Sequence, residues 1–317
     1  MNQDPRWLPK EKPRRRTHRL AWFLFFAILP VAIPVVYSYL LCPFMPYYRF
    51  FNPGRTSMMD YREHQAKKKH QPFKLRYQPV PLAKIAKPLR EAAVLAEDGN
   101  FYKHQGFDFE AIQKAYEYNK KRGKVVRGAR TISQQVAKNL WLSPKRSWWR
   151  KLVEGILTVR LELTLPKERI LEIYLNSIEW GDGIFGAKAA AEIYFHTSPD
   201  KLTASQAALL VAAIPSPLRS NPARPSGYLA RRQGLILRWL SGNVADKEKE
   251  EEQMLNMPTP EPEKESPDIS TPEPTPDDQA APLLKPEKSE PPAPSKDLPP
   301  AKEAPAAPTP TPEQIAL

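Results

Sequence analysis

The sequence predicts a mainly α-helical domain behind one N-terminal transmembrane helix, with a disordered Pro-rich tail after it. Three observations carry this expectation. Residues 20–41 form a single uncharged apolar run. Between residues 79 and 245 apolar residues recur at helical spacing, and only three or four in a row ever alternate as a strand would. From residue 246 the composition changes: 17 acidic against 7 basic residues lie between Asp246 and Leu317, and 18 of the 37 prolines fall between Pro258 and Pro312. The formal net charge of +13 on 317 residues averages unlike parts, since residues 1–245 carry 41 basic against 18 acidic groups, a net of +23, and the remainder a net of −10. Length alone would allow two domains, but this composition leaves room for only one, of roughly 200 residues. One cysteine, Cys42, excludes an intramolecular disulfide framework and a Cys-based zinc site. Five scattered histidines argue against a His-rich metal cluster.

Taken in order, residues 1–19 are a basic segment: Arg6, Lys10, Lys12, Arg14, Arg15, Arg16 and Arg19 stand against only Asp4 and Glu11. Residues 20–41 then read LAWFLFFAILPVAIPVVYSYLL. As a helix they reach roughly 33 Å, about the thickness of a bilayer core. Pro30 and Pro34 would kink that helix without forbidding it. The charge bias places the N-terminus in the cytoplasm and everything after Leu41 outside it. Tyr39-Leu40-Leu41-Cys42 offers neither a small-residue cleavage site nor a small-residue lipidation site, so the segment is expected to stay as an anchor. Residues 42–78 open with CPFMPYYRFFNPGR, rich in aromatics. They either rest on the outer leaflet or pack on the domain as a linker.

Helix signals dominate residues 79–245. Candidate helices cover 81–96, 108–121, 131–142, 148–163, 166–176, 184–195, 203–214 and 226–241. Thr203 with Gln206 forms a capping box. Pro166 suits a first helical turn. Leu152, Ile156, Val159 and Leu163 share one helical stripe, and Ile170, Ile173 and Tyr174 share another, with Asn176 near it. Residues 246–317 cannot bury enough apolar surface to offset the entropy of ordering, and read as a disordered Pro/Glu-rich tail with polyproline character.

Three stretches carry candidate chemistry. In Glu97-Asp98-Gly99-Asn100-Phe101-Tyr102-Lys103-His104 two adjacent acids follow an apolar helix end, a setting that tunes a carboxylate. The bland alternative is a pair of surface acids with a turn-capping histidine. In Gly128-Ala129-Arg130-Thr131-Ile132-Ser133-Gln134-Gln135-Val136-Ala137-Lys138 a glycine loop precedes a helix start, which suits an anion, or merely an N-cap. Gln135 and Lys138 share a helix face. In Arg146-Ser147-Trp148-Trp149-Arg150-Lys151-Leu152-Val153-Glu154 the spacing is that of exposed ion pairs, or of a carboxylate held among phosphate-gripping cations. Two separated carboxylates suit glycosidic-bond chemistry. The cationic set of Lys138, Arg146, Arg150 and Lys151 suits a phosphorylated leaving group rather than a neutral sugar chain.

The blocks EDGNFYKHQG (97–106), RGARTISQQVAKN (127–139), RKLVE (150–154), KERILEIYLN (167–176) and GIFGAKAAAEIYF with LTASQAALLVAAIPSPLRSNP (183–222) resemble, in order, those of glycosyltransferase family 51, the peptidoglycan glycosyltransferases. The likeness covers about residues 75–235 and is to the monofunctional members. It implies a lysozyme-like fold with a smaller, membrane-touching lobe, and lipid II with the growing glycan chain as substrates. It implies catalytic roles for Glu97, as general base, and for Glu154, which supports the donor site. Lys138, Arg146, Arg150 and Lys151 match donor-site positions around the diphosphate. Asp98, His104, Thr131, Gln134 and Gln135 match positions that shape the cleft. No cofactor is firmly implied; a divalent cation, Mg or Mn, at the diphosphate is an open option. Membrane lipid and other cell-wall synthesis proteins are the partners expected, and nucleic acid is not.

Three rivals compete with this reading: a lysozyme-like glycan-cleaving enzyme, a non-catalytic membrane-anchored scaffold, and a bifunctional synthase. The last rests on Ser198-Pro-Asp-Lys201, which fits S-x-x-K, yet no K-T-G follows and no folded length remains for a second domain. One departure from the family pattern stands out. Arg130 occupies a position that is usually serine in G-[GA]-S-T. We expect Arg130→Ser to retain or increase polymerisation of purified lipid II; a large loss would make Arg130 a working ligand.

Overall fold

The computed structural model describes residues 16–126, 128–145, 147–243 and 247–255. Helix α1 (Arg16–Leu41) is followed by a 3₁₀ turn at Met45–Arg49, α2 (Ser57–Lys68), strand β1 (Arg76–Tyr77) and a 3₁₀ turn at Leu82–Lys84. Then come α3 (Lys87–Glu97), α4 (Phe109–Arg122), α5 (Ile132–Trp141), α6 (Trp148–Thr164) and α7 (Lys167–Ser177). Strands β2 (Glu179–Gly181) and β3 (Ile184–Phe185) precede α8 (Ala187–Phe195), α9 (Ala204–Ala213), α10 (Gly227–Leu240) and α11 (Lys247–Leu255).

The domain is mainly α, as the periodicity predicts. Its centre is α9, where Ala207 to Ala213 are all buried because AALLVAA has no polar face to turn outward. It packs against α10 and α3, while α5 lies across α6 and α7. Leu89, Val136, Leu157, Leu161, Ile173, Leu210 and Trp239 form one continuous core. Each such side chain gains roughly 1.5–3 kcal/mol from leaving water. The expected face of α7 is realised, with Ile170, Ile173, Tyr174 and Asn176 buried. The Asn176 amide exchanges two hydrogen bonds with the Val80 backbone (2.9 and 2.8 Å), which ties α7 to the approach to α3.

Several boundaries differ from the sequence reading. The helix expected at 81 starts at Lys87, because Pro88 favours the first turn and residues 82–84 form a separate 3₁₀ turn. The start of the helix expected at 184 is instead β3, which runs parallel to β1 (Arg76↔Ile184) and antiparallel to β2 (Glu179↔Phe185). These strands have two or three residues each, too few for alternation to register in sequence. Gly186, at φ +85, turns the chain from β3 into α8. Pro199–Lys201 is a 3₁₀ turn before the Thr203 capping box.

The stripe on α6 has the opposite sense to a core stripe. Val159 and Leu163 are exposed, whereas Val153, Glu154, Leu157, Thr158 and Leu161 are buried. The outward apolar residues stand on the helix that packs against α1. On α1 itself Trp22, Phe23, Phe26 and Val31 are uncovered, as suits a membrane anchor.

Part of the juxtamembrane segment packs on the domain, one of the two options its sequence left open. Cys42 and Met45 enter the main core, and Tyr48 packs edge-on against Trp141. Phe44, Tyr47, Phe50 and Phe51 remain exposed.

Residues 247–255 correct the expected start of the tail. They form α11 because its side chains find partners on the domain. The Glu250 carboxylate accepts from Trp239 Nε1 (2.6 Å) and Arg238 Nε (2.8 Å), and Lys247 Nζ donates to the Leu95 carbonyl (2.6 Å). The rest of the tail (256–317) and the basic residues 1–15 lie outside the described residues.

A Cβ at position 186 would lie 2.6 Å from the Asn176 carbonyl oxygen, on a backbone angle that L residues rarely adopt. Gly186→Ala should therefore cost at least about 2 kcal/mol, measured by urea denaturation.

Candidate active site

The site is assembled from the end of α3, the loop after it, the start of α5 and the first half of α6. Asp98 joins the first three. Its buried carboxylate accepts from the Ile132 backbone N–H (2.9 Å) at the first turn of α5, and from His104 Nε2 (2.9 Å). The Gly106 N–H donates to His104 Nδ1 (3.1 Å), so that nitrogen carries no proton and Nε2–H is the donor to Asp98. His104 thus folds the loop rather than merely capping a turn. Gly106, at φ +90, brings its carbonyl to the Thr131 hydroxyl (2.7 Å). Thr131 and Gln134 complete a capping box, which fixes the α5 N-terminus below that loop.

Glu97 ends α3 and is partly buried. Gln135 Nε2 donates to its Oε2 at 3.0 Å. Burial pushes the Glu97 carboxyl above its ordinary value; the Gln135 hydrogen bond and the Arg232 charge oppose the rise, and the Asp98 charge adds to it. Lys138 lies three residues beyond Gln135 on α5, a rise of about 4.5 Å. This helix therefore spans from Glu97 to the second cluster.

That cluster surrounds Glu154, which is fully buried. Arg150 Nη1 meets its Oε2 at 2.7 Å and Lys151 Nζ its Oε1 at 2.5 Å, while Arg130 Nε lies 3.8 Å away. An unpaired carboxylate at such a place would cost several kcal/mol. Exposed helix ion pairs are therefore not what the i,i+3 and i,i+4 spacing makes here. Burial pushes the Lys138 ammonium below its ordinary value, assisted by the Arg130 charge and opposed by Glu154. Arg130, Lys138, Arg150 and Lys151 give four cations against this one carboxylate. The Nε of Arg150 is buried without a hydrogen-bond partner among the described residues. A positive excess with an unused donor has the chemistry to hold an anion.

Of the residues singled out in sequence, Glu97, Asp98, His104, Thr131, Gln134 and Gln135 gather at one end of α5. Lys138, Arg150, Lys151 and Glu154 gather along its other side. Arg146 lies outside the described residues. Sequence reading missed Arg232, buried on α10 with its Nε on the Ala212 carbonyl (3.1 Å). The signal was an arginine on an apolar stripe, between Leu229 and Ile236. It also missed the Arg62–Glu179 pair (2.8 Å), which ties α2 to β2 beside Lys138. Its two halves are 117 residues apart, beyond any local pattern.

The described residues hold no cluster of three His, Cys, Asp or Glu side chains placed for a metal. Both oxygens of Glu154 are already taken by cations, so this donor set does not fit a protein-held divalent ion.

A mainly helical domain with a tuned carboxylate on one side and a cationic anion receptor on the other is the equipment of a glycosyl-transferring enzyme. The chain belongs to the transglycosylase family, whose profile matches residues 64–241. It is similar to the biosynthetic peptidoglycan transglycosylase of Nitrosospira multiformis, 42% identical over 216 residues, which covers 68% of this chain and 94% of that protein. The protein of the same name from Chromobacterium violaceum is 43% identical over 217 residues, with 68% and 95% covered. That from Bordetella pertussis is 40% identical over 235 residues, with 71% and 96% covered.

A carboxyl raised in the folded state binds its proton more tightly there than in the unfolded chain. Its favourable contribution is complete below the ordinary value of 4.5 and is lost as pH rises through the folded value. Glu97→Gln mimics the protonated form. Its stability relative to wild type should therefore increase from pH 4 to pH 7, read by paired denaturation curves.

Proposed function

We propose that this transglycosylase polymerises lipid II into glycan strands and releases undecaprenyl diphosphate. The chain is a peptidoglycan glycosyltransferase of bacterial cell-wall synthesis. The observation that carries the finer reading is the excess of cations around Glu154, with its unused Arg150 donor. A hydrolase of neutral glycan has no need of such a receptor; a diphosphate leaving group does.

In this reading Glu97 is the general base. It takes the proton from the 4-hydroxyl of the acceptor's N-acetylglucosamine. That oxygen attacks C1 of the lipid-linked N-acetylmuramic acid of the growing chain, and the C1–O bond to the diphosphate breaks. Burial favours this role, because a carboxylate raised toward neutral pH is a better proton acceptor. Gln135 holds the carboxylate in place. Lys138, Arg150 and Lys151 meet the charge that develops on the leaving diphosphate, a role that the family pattern assigns to Arg146 as well. Glu154 keeps Arg150 and Lys151 aligned, so the receptor is built before the substrate arrives. Asp98, His104, Thr131 and Gln134 act through the shape of the cleft. Arg130, 3.8 Å from Glu154 and exposed, stands at the edge of the cluster where the family pattern has a small hydroxyl, and this reading does not require it as a ligand.

The anchor is read as a single pass through the cytoplasmic membrane with the N-terminus inside and the domain outside. Helix α1, long and apolar enough to cross, supports it, and so does the basic bias of residues 1–19. The substrate's lipid tail then lies in the same membrane as the enzyme.

Labelled lipid II offered to the full-length protein tests the reaction. Removing the base in Glu97→Gln should lower the rate by about 10²–10⁴-fold. Equal polymer from the variant and the wild type would overturn the mechanism.

A further inference from the structure

Helix α1 does not end as a free tether. Arg160 of α6 donates from Nη1 to the Ser38 carbonyl (2.6 Å) and from Nη2 to the Cys42 carbonyl (2.7 Å). The same Nη1 reaches the Ser38 hydroxyl at 3.3 Å, and the guanidinium lies 3.6 Å from the centre of the Tyr39 ring. Ser38 carries one of the last four carbonyls of α1, which also accepts the Cys42 N–H (3.1 Å), and the Cys42 carbonyl lies one residue past the helix end at Leu41, so the guanidinium meets the negative end of the α1 dipole. Arg160 thus acts as a C-terminal cap supplied by another helix.

A second guanidinium continues the restraint. Arg169 of α7 donates from Nε to the Tyr48 carbonyl and from Nη2 to the Phe51 carbonyl, both at 2.7 Å. Between the two, Cys42 and Met45 are inserted in the core. Two arginines therefore hold four backbone carbonyls between Ser38 and Phe51. The whole exit from the anchor is fastened to α6 and α7.

Helix α6 also carries Arg150, Lys151 and Glu154. From Glu154 to Arg160 is six residues, about 9 Å along a continuous helix. Val159 and Leu163 of α6 stay exposed, as do Phe44, Tyr47, Phe50 and Phe51. Apolar and aromatic side chains of this kind favour the membrane interface. A rigid rod thus runs from the end of the membrane helix to the cation cluster, with no flexible joint between them.

We propose that Arg160 is a positioning residue for polymerisation: by capping α1 it sets the depth at which the α6 cation cluster meets the lipid-borne diphosphate. The proposal rests on the function proposed above. A lipid II diphosphate is fixed at the headgroup layer by its own chain, so it cannot move to meet a displaced receptor. A substrate presented in a detergent micelle can.

The test uses full-length wild type and Arg160→Ala in two formats. One is phosphatidylethanolamine–phosphatidylglycerol vesicles with lipid II; the other is detergent with a short-prenyl lipid II analogue. In vesicles kcat/KM should fall about tenfold or more, while in detergent it should stay within about twofold of wild type. Arg160→Lys, which keeps the charge but not the two-carbonyl reach, should lie between. Equal losses in both formats, or no loss in either, would overturn the proposal. Wild type inactive in both would instead count against the reaction itself.

An activity-independent arm covers that case. A fluorophore on Leu163→Cys, in a Cys42→Ser background, is quenched by lipids labelled at graded depths. Arg160→Ala should shift the depth of strongest quenching, and an unchanged depth would overturn the proposal. Circular dichroism of the domain should match wild type in every variant used.

Discussion

One buried carboxylate, that of Asp98, holds together the parts from which the cleft is made. It receives the first free N–H of α5 and the Nε2–H of His104, and it follows Glu97 directly in the chain. The end of α3, the loop and the start of α5 therefore cannot move independently. Without that tie, Gln135 would have no fixed relation to Glu97, and α5 would not carry the register from Glu97 to Lys138. An anion at a helix N-terminus is worth about 0.3–1 kcal/mol at a surface and more when partly buried. Here the modest energy matters less than the geometry it determines.

The two carboxylates of the site are treated in opposite ways. Glu97 is partly buried with one amide donor and a distant arginine, so its charge is poorly compensated and its affinity for a proton rises. Glu154 is more deeply buried, yet two cations touch it and a third stands near. The first environment suits the proton-accepting role proposed for Glu97. The second makes a fixed counter-charge around which an anion receptor can be organised. The same residue type serves two purposes because its neighbours differ.

Much of this was readable in the sequence. The helices around α9 and α7 follow from capping residues and apolar spacing, and the site motifs lie at helix ends where caps and charges are local signals. The bulk of the proposed site residues is likewise contiguous in short blocks. What sequence could not show is what distance in the chain conceals. The strands are too short to alternate, and Arg62 meets Glu179 across 117 residues. The stripe of Leu152, Ile156, Val159 and Leu163 shows the ambiguity of periodicity: it locates a helix but does not say whether its apolar face meets protein or lipid. The start of the tail was misjudged because the charges of α11 looked solvated until Trp239, Arg238 and the Leu95 carbonyl supplied partners.

The clamp on α1 has a redox consequence. Cys42 is the sole thiol of the chain, and it sits beneath the guanidinium that takes its carbonyl, 3% exposed and with its sulfur 3.8 Å from Met45 Sδ. A chain with one cysteine has no internal partner for it. Exposed in oxidising surroundings, such a thiol would link two copies of the protein or form a mixed disulfide. Fastening the anchor to the core also shelters this sulfur. The same restraint that ties the domain to its membrane helix thereby protects each molecule from being covalently joined to the next.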